Sequence, residues 1–295
     1  MSPGAAPRQQ EHWDWRAAGN FMCGGAGTGL AAFAAAAAVA GASFVIPGLA
    51  ALALIAAGLF FVWLEIGRPW RFINVVINPH TSWMTREALT SGPLFAAGLA
   101  AVWFDSAVLA AVTAALALVF LYCQARMIHA SKGIPTWRED RVVPLLVTTG
   151  LAEGGGAFLA GTAALADPFG VGLAAALAVL ALVALRWWFW VRYFANLRHG
   201  GAPAGALDVL QSLQAPFILA SHIGPILLIA GGLAFPPLLT PGFVLGGLLA
   251  MAGGWAFKFT LITRAGFNQG FAIRHTPARG AGPGGPGVKP GWSAR

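Results

Sequence analysis

The densest chemistry in this chain lies between residues 63 and 87. It reads Trp63-Leu64-Glu65-Ile66-Gly67-Arg68-Pro69-Trp70-Arg71-Phe72, then Asn78-Pro79-His80-Thr81-Ser82-Trp83-Met84-Thr85-Arg86-Glu87. Glu65 closes one apolar run and Glu87 opens the next, so both carboxylates fall in one interfacial zone with Arg68, Arg71 and Arg86. Such a set can take or give protons beside an amphipathic ligand, while the guanidiniums attract an acidic partner or hold the carboxylates ionised. It also has a plain account, an interfacial loop whose charges pair and snorkel. A third carboxylate, Glu153, lies about 11 residues past Val142, about 17 Å along a helix at 1.5 Å per residue. An ionisable group at that depth is costly and a functional candidate by default. It reads either as a protonated or hydrogen-bonded packing residue, or as part of a proton relay or cavity wall.

The remaining reactive side chains are sparse. His222 is embedded and His129 sits at the end of an apolar run. A bis-His haem needs two facing imidazoles, so no haem is expected in this chain. His222 reads as a hydrogen-bonded core residue and His129 as an interfacial one. Cys23 and Cys123 make no metal-type pair and read as small packing residues. Neither a metal site nor a catalytic residue is assigned.

The elements that must position these groups are apolar spans. Eight stretches approach the roughly 20 residues that cross a hydrocarbon core of about 30 Å. They are Gly19–Ala40, Ile46–Leu64, Ala88–Trp103, Ser106–Gln124, Val142–Leu165, Val171–Trp190, Pro216–Phe235 and Gly242–Ile262. The chain is 58% hydrophobic and only 9% charged, where a soluble domain carries about 25% charged residues. The fold class is therefore an all-α integral membrane protein of eight transmembrane helices, arranged as two four-helix bundles. Residues 1–17 form a cytoplasmic N-terminal segment, 18–264 the membrane domain, and 265–295 a cytoplasmic tail rich in Gly and Pro.

Charge orients the spans. All 18 Lys and Arg can be placed on one side, including Arg186, Arg192 and Arg198 at the end of the sixth span and Lys258 onward at the end of the eighth. The connections around 41–44, 105, 167 and 236–241 carry none. Basic loops stay in the cytoplasm, so both termini are expected there. The net charge of +8 reads as this topology signal together with attraction to anionic lipid or an acidic partner, with no nucleic acid. Met1–Arg16 is polar and reads as no signal peptide. Gly-rich stretches at Gly24–Gly29 and Gly150–Gly156 read chiefly as helix-packing surfaces, or as a close approach to a flat ligand.

These residues resemble the membrane-anchor superfamily of polysulfide reductase, nitrite-reductase NrfD-type proteins and DMSO reductase anchor subunits. The likeness rests on Gly67-Arg68-Pro69-x-Arg71, on Asn78-Pro79…Ser82-Trp83-x-x-Arg86-Glu87, and on Trp13-Asp14-Trp15…Asn20-Phe21 before a Gly-rich helix. Ala125-Arg126-Met127-Ile128…Ile134-Pro135-Thr136-Trp137 is similar to the DMSO-reductase branch. The resemblance implies a non-catalytic, cofactor-free subunit of an oxidoreductase complex in the bacterial inner membrane. It would hold an iron–sulfur subunit and a molybdenum or tungsten pterin subunit, and pass electrons to or from ubiquinone or menaquinone. It implies a quinone site at Asn20, Glu65, Trp83, Glu87 and His129, with Arg68, Arg71 and Arg86 docking the partner or tuning charge, and Glu153 as a possible proton relay. Glu87 matches the family's quinol-binding acid. Where Glu65 stands, the DMSO reductase anchors tend to have His.

The well-known reductases of the superfamily carry their catalytic subunits outside, whereas the basic face here points to cytoplasmic ones. The opening Trp13–Phe21 segment is most similar to anchors of phenylacetyl-CoA:acceptor oxidoreductase complexes. Two other classes stay open. A secondary transporter would place broken helices in repeated halves at the midplane, and a membrane enzyme acting on a lipid or prenyl group would need a metal-binding or nucleophilic cluster.

Overall fold

The computed structural model describes residues 6–66, 69–164 and 172–270, with the backbone alone at 69, 71 and 72. Arg68, the side chain of Arg71, the connection 165–171 and the tail beyond 270 lie outside the described residues. Among the described residues the chain is helical, and one isolated bridge joins Gln9 to Phe267. The elements are α1 (Trp15–Val39), α2 (Val45–Glu65), a 3-10 segment (Pro69–Val76), α3 (Trp83–Phe104), α4 (Ala107–His129) and the short α5 (Pro135–Arg138). They continue with α6 (Val142–Ala164), α7 (Gly172–His199), α8 (Ala204–Ile218), a π-helical turn (Leu219–Ile223), α9 (Gly224–Ala234), a second 3-10 turn (Pro236–Leu238) and α10 (Leu239–Thr263). Eight spans among them, with α8 and α9 continuous through the π turn, are long and apolar enough to cross a membrane. The protein is an all-α, multi-pass membrane protein.

Local chemistry sets the helix limits. Asp14, Ser82 and Ser106 cap α1, α3 and α4 by accepting backbone N–H bonds from Arg16, Thr85 and Leu109, which satisfies donors that a helix start leaves orphaned. Asp105 takes a left-handed conformation (φ 44°) to end α3. Its carboxylate also accepts from the Phe44 N–H at 2.8 Å, tying the α1–α2 turn to the α3–α4 turn.

Packing centres on α1 and α6, the two most enclosed spans, each with 72% of its apolar window buried. Lipid gives no hydrophobic drive between helices, so contact depends on close approach. A Cβ on Gly154 would strike the backbone of Gly29 and Leu30, and one on Gly156 would strike the Gly247 carbonyl. These glycines bring α1 against α6 and α6 against α10 at backbone distance. Helix α1 also packs on α2 and α4, α3 on α4, α6 on α7, and α9 on α10. Two cores result. One is rich in alanine, with Ala34, Ala101, Ala176 and Ala250 among Leu, Ile, Val and a few Phe. The other is aromatic, with Trp137, Trp190, Tyr193, Phe217 and Phe257.

The aromatic core lies at the end where the polar ties gather. Gln10 Nε2 donates to the carbonyl of Ile262 (2.9 Å), Arg16 to that of Leu64 (2.9 Å), Trp137 to that of Leu261 (2.9 Å) and Tyr193 to that of Thr136 (2.7 Å). These bonds bring together the start of α1, the ends of α2, α7 and α10, and α5. We call this the basic end.

Two basic residues leave that end, contrary to expectation. Hydropathy closes the sixth span at Trp190, but α7 runs 28 residues to His199, because Tyr193, Phe194 and Leu197 continue its buried face. Arg186 therefore stands thirteen residues from the helix end, about 20 Å deep, and is fully buried. Lys258 lies five residues before the end of α10 and is turned inward, 2% exposed. Likewise the seventh span begins at Ala204 instead of Pro216, because α8 precedes the π turn.

Candidate functional site

A pocket of about 140 Å³ opens among α1, α2, α3 and the first 3-10 segment. Trp13, Ala17, Asn20 and Phe21 supply one wall, at spacings that share a helical face, and Val62, Glu65 and Ile66 supply the opposite wall in the same way. Val75, Met84 and Met127 complete it. Trp13 is fixed by stacking on Trp137 at 5.0 Å and by the Gln10 side chain, whose Oε1 accepts the Trp13 N–H at 2.7 Å. The interior is apolar except for Asn20 and Glu65, which suits an amphipathic ring with polar atoms at its edge.

Behind Asn20 lies a buried polar triad. Glu87, Asn20 and Gln124 are 2%, 1% and 2% exposed. Asn20 Nδ2 donates to Glu87 Oε1 at 3.4 Å, and Gln124 Nε2 donates to Asn20 Oδ1 at 3.3 Å. Both bonds are long for N–H···O, and Gln124 Oε1 is buried without a partner. The triad therefore has spare hydrogen-bonding capacity. Gly24, packed against the Gln124 amide, and Gly58, 3.0 Å from the Asn20 carbonyl at its hypothetical Cβ, leave room for it.

The structure thus brings together Asn20, Glu65 and Glu87: two on the pocket wall and one directly behind it. Trp83 and His129 are placed elsewhere. Trp83 meets Tyr122 edge-on at 5.8 Å and carries Arg86 4.1 Å above its ring. Arg86 donates to the carbonyls of Pro79 and His80, both at 2.8 Å. His129 Nε2 is 3.2 Å from Asp140, across the α4–α6 connection. At the start of α1, the hydrogen bonds of Arg16 hold the Asp14 carboxyl below the usual carboxylate range.

A second buried cluster was not legible as such in the sequence. Glu153 Oε2 accepts from Lys258 Nζ at 2.6 Å, with the side chains 0% and 2% exposed. Lys258 also donates to the Phe21 carbonyl at 2.8 Å, so this pair sits against α1 one residue along from Asn20. Deeper still, Arg186 Nη1 donates to the Ala250 carbonyl (2.9 Å), Nη2 to that of Ser221, and Nε to His222 Nε2 (3.3 Å). His222 Nδ1 bonds the Phe217 carbonyl at 2.9 Å. Both ring nitrogens of His222 are occupied, which makes it a hydrogen-bonded core residue. A signal for Arg186 existed: residues 186, 190, 193 and 197 keep the helical period past the hydropathy limit.

Among the described residues no group of three or more His, Cys, Asp or Glu could hold a metal ion. No protein-family profile matches the chain, and no curated protein is found to be similar to it.

Proposed function

We propose that this chain is the membrane-anchoring, quinone-binding subunit of an oxidoreductase complex in a bacterial inner membrane. On this reading α1–α4 and α6–α10 form two four-helix bundles. The basic end and both termini face the cytoplasm, by the rule that Lys- and Arg-rich connections stay inside. There they meet an iron–sulfur subunit and a molybdenum or tungsten pterin subunit. The observation that carries the reading is the apolar pocket at the basic end, walled by Asn20 and Glu65 and backed by buried Glu87.

Bound quinone supplies two-electron, two-proton redox chemistry with the membrane pool. The chain's residues then have separable tasks. Trp13, Phe21, Val62, Ile66 and Met127 exclude water and hold a ring by its faces. Asn20 orients a ligand oxygen through its amide, using the capacity that its long bonds leave open. Glu65 holds or releases a proton on the pocket wall. Glu87 holds one behind Asn20, shielded from water, and its charge state is felt through the Asn20 amide.

One observation favours a transporter instead. The span from Ala204 to Ala234 is interrupted by Pro216, the π turn and Pro225 near midspan, and such breaks offer free carbonyls to a substrate cation. Here Arg186 takes the Ser221 carbonyl itself, which fills the break with a tethered cation.

The test is purification from native membranes in mild detergent, with iron, molybdenum, tungsten and quinone assayed in the peak holding this chain. Cluster iron, a pterin metal and quinone together are expected. A solitary, metal-free and quinone-free protein under equally mild conditions overturns the proposal in favour of the transporter. Within the complex, Glu87→Gln is expected to abolish quinone-coupled turnover with assembly intact; loss of assembly would make Glu87 structural.

A further inference from the structure

Trp83 lies under two cations. Arg86, one turn along α3, is 4.1 Å from the ring centroid, and Arg126, near the end of α4, is 5.1 Å from it. Each lies three residues from its helix end, about 4.5 Å, so both sit at the level where a bilayer's headgroups begin. The two distances to the shared ring keep the guanidinium carbons within about 10 Å of each other, about one Debye length at 0.1 M salt. None of the four ion pairs among the described residues includes either arginine. Glu87, next to Arg86 in the sequence, is buried and turned toward Asn20. Arg86 spends its bonds on two carbonyls, and Arg126 Nε is buried without any partner.

The surface continuing from this pair into the span is apolar. On α4, Tyr122 and Val119 follow Arg126 at helical spacing and are 44% and 50% exposed, and on α3 Leu89 is 46% exposed. A ligand that satisfies the whole surface carries an anion at the bilayer edge and hydrocarbon below it. An acidic protein partner would match only the arginines.

We infer that Arg86, Arg126 and Trp83 form a binding site for the phosphate headgroup of an anionic phospholipid, whose acyl chain lies along Tyr122, Val119 and Leu89. The site is separate from the pocket, and stands whether or not the pocket takes quinone. Trp83 acts as the platform for both guanidiniums, since cations over an indole face are held by its quadrupole. The phosphate is the counter-ion that the two guanidiniums lack, and it takes the N–H donors that Arg86 does not spend on the Pro79 and His80 carbonyls, as charge-assisted bonds of the strong kind. Binding of the lipid would also pin the start of α3 to the end of α4.

The experiment is titration of the purified full chain in neutral detergent with phosphatidylglycerol, counting bound lipids by native mass spectrometry. Arg126→Gln or Arg86→Gln is expected to weaken the tightest phosphatidylglycerol about fivefold each, and the double variant about 30-fold, from the usual contribution of one basic residue at an anionic membrane surface. Arg126→Lys should keep most of the affinity. Arg192→Gln, which removes a lone guanidinium over Trp188 at 5.0 Å, should leave it unchanged. Phosphatidylcholine should not occupy the site. Equal phosphatidylglycerol affinity in wild type and the double variant overturns the inference. So does displacement by inorganic phosphate alone, which would mark a free-anion site, or equal binding of phosphatidylcholine. If the double variant fails to elute as a folded protein, the comparison of Arg126→Gln with Arg126→Lys decides.

Discussion

Lys258→Met tests the energetics of the buried pair. At 2.6 Å, two unit charges attract by about 6 kcal/mol at an effective dielectric of about 20. Desolvation costs several kcal/mol per ion, so the intact pair contributes little net stability. Its removal is not symmetric. Methionine fills the space of the lysine stem but leaves Glu153, 0% exposed, as a buried carboxylate whose Oε1 already has no partner. Such half-broken pairs cost about 3–5 kcal/mol. At about 2–4 °C per kcal/mol for a chain of this size, the unfolding midpoint in detergent should fall by about 6–20 °C. Glu153→Gln alone should cost a similar amount, since Lys258 would lose its counter-ion and keep only neutral acceptors, the Phe21 carbonyl among them. The double variant Lys258→Met/Glu153→Gln should return to within about 1 kcal/mol of wild type, because no buried charge is left over. Intrinsic-fluorescence melts of the four proteins close the cycle. Two singles whose losses simply add in the double would refute the reasoning, as would a Lys258→Met protein as stable as wild type.

Two further outcomes are expected. Gly154→Ala, whose methyl would strike the α1 backbone, should destabilise by about 1–3 kcal/mol as an overpacked contact, while Gly161→Ala on the same helix meets open space and should be neutral; thermal melts compare them. Asp14 is held ionised by Arg16, so its folded-state affinity for a proton is depressed. Its contribution is present above about pH 4 and is lost as pH falls through its lowered folded value. Because the pair is about one-third exposed, Asp14→Asn should cost under about 1 kcal/mol and flatten the acid limb of a melting-point profile.

Eight spans were legible because hydropathy in lipid is nearly decisive, as at α2 and α4. Glu65 and Glu87 were legible as polar exceptions at span edges and Asn20 only through the resemblance, and the fold brings the three together. The placement of their neighbours was not, because side-chain direction within a turn is set by packing. On α3, Met84 and Glu87 face α1, while Trp83 and Arg86 turn toward the end of α4. His129 is five residues past Gln124, about 140° around the helix, and reaches Asp140 instead of the triad. Lys258 and Arg186 were masked for a different reason. An averaging window places a lone charge at the nearest polar boundary, and only the partner it meets, Glu153 or Ser221, distinguishes an embedded cation from a snorkelling one.

The order in which these partners are synthesised has its own consequence. Glu87 emerges 67 residues after Asn20, so its first partner is already in the membrane when it arrives. Glu153 must wait 105 residues for Lys258, and Arg186 waits 64 for the Ala250 carbonyl. At about 5–20 residues per second, Glu153 spends about 5–20 s without its counter-ion, and Arg186 about 3–13 s without its full set of carbonyls. During that interval α6 and α7 hold groups that a bilayer centre disfavours by about 3 kcal/mol each. The first four spans can settle as they are made. The last four are committed only when α10 enters, so the birth of this protein is completed from its final helix backward.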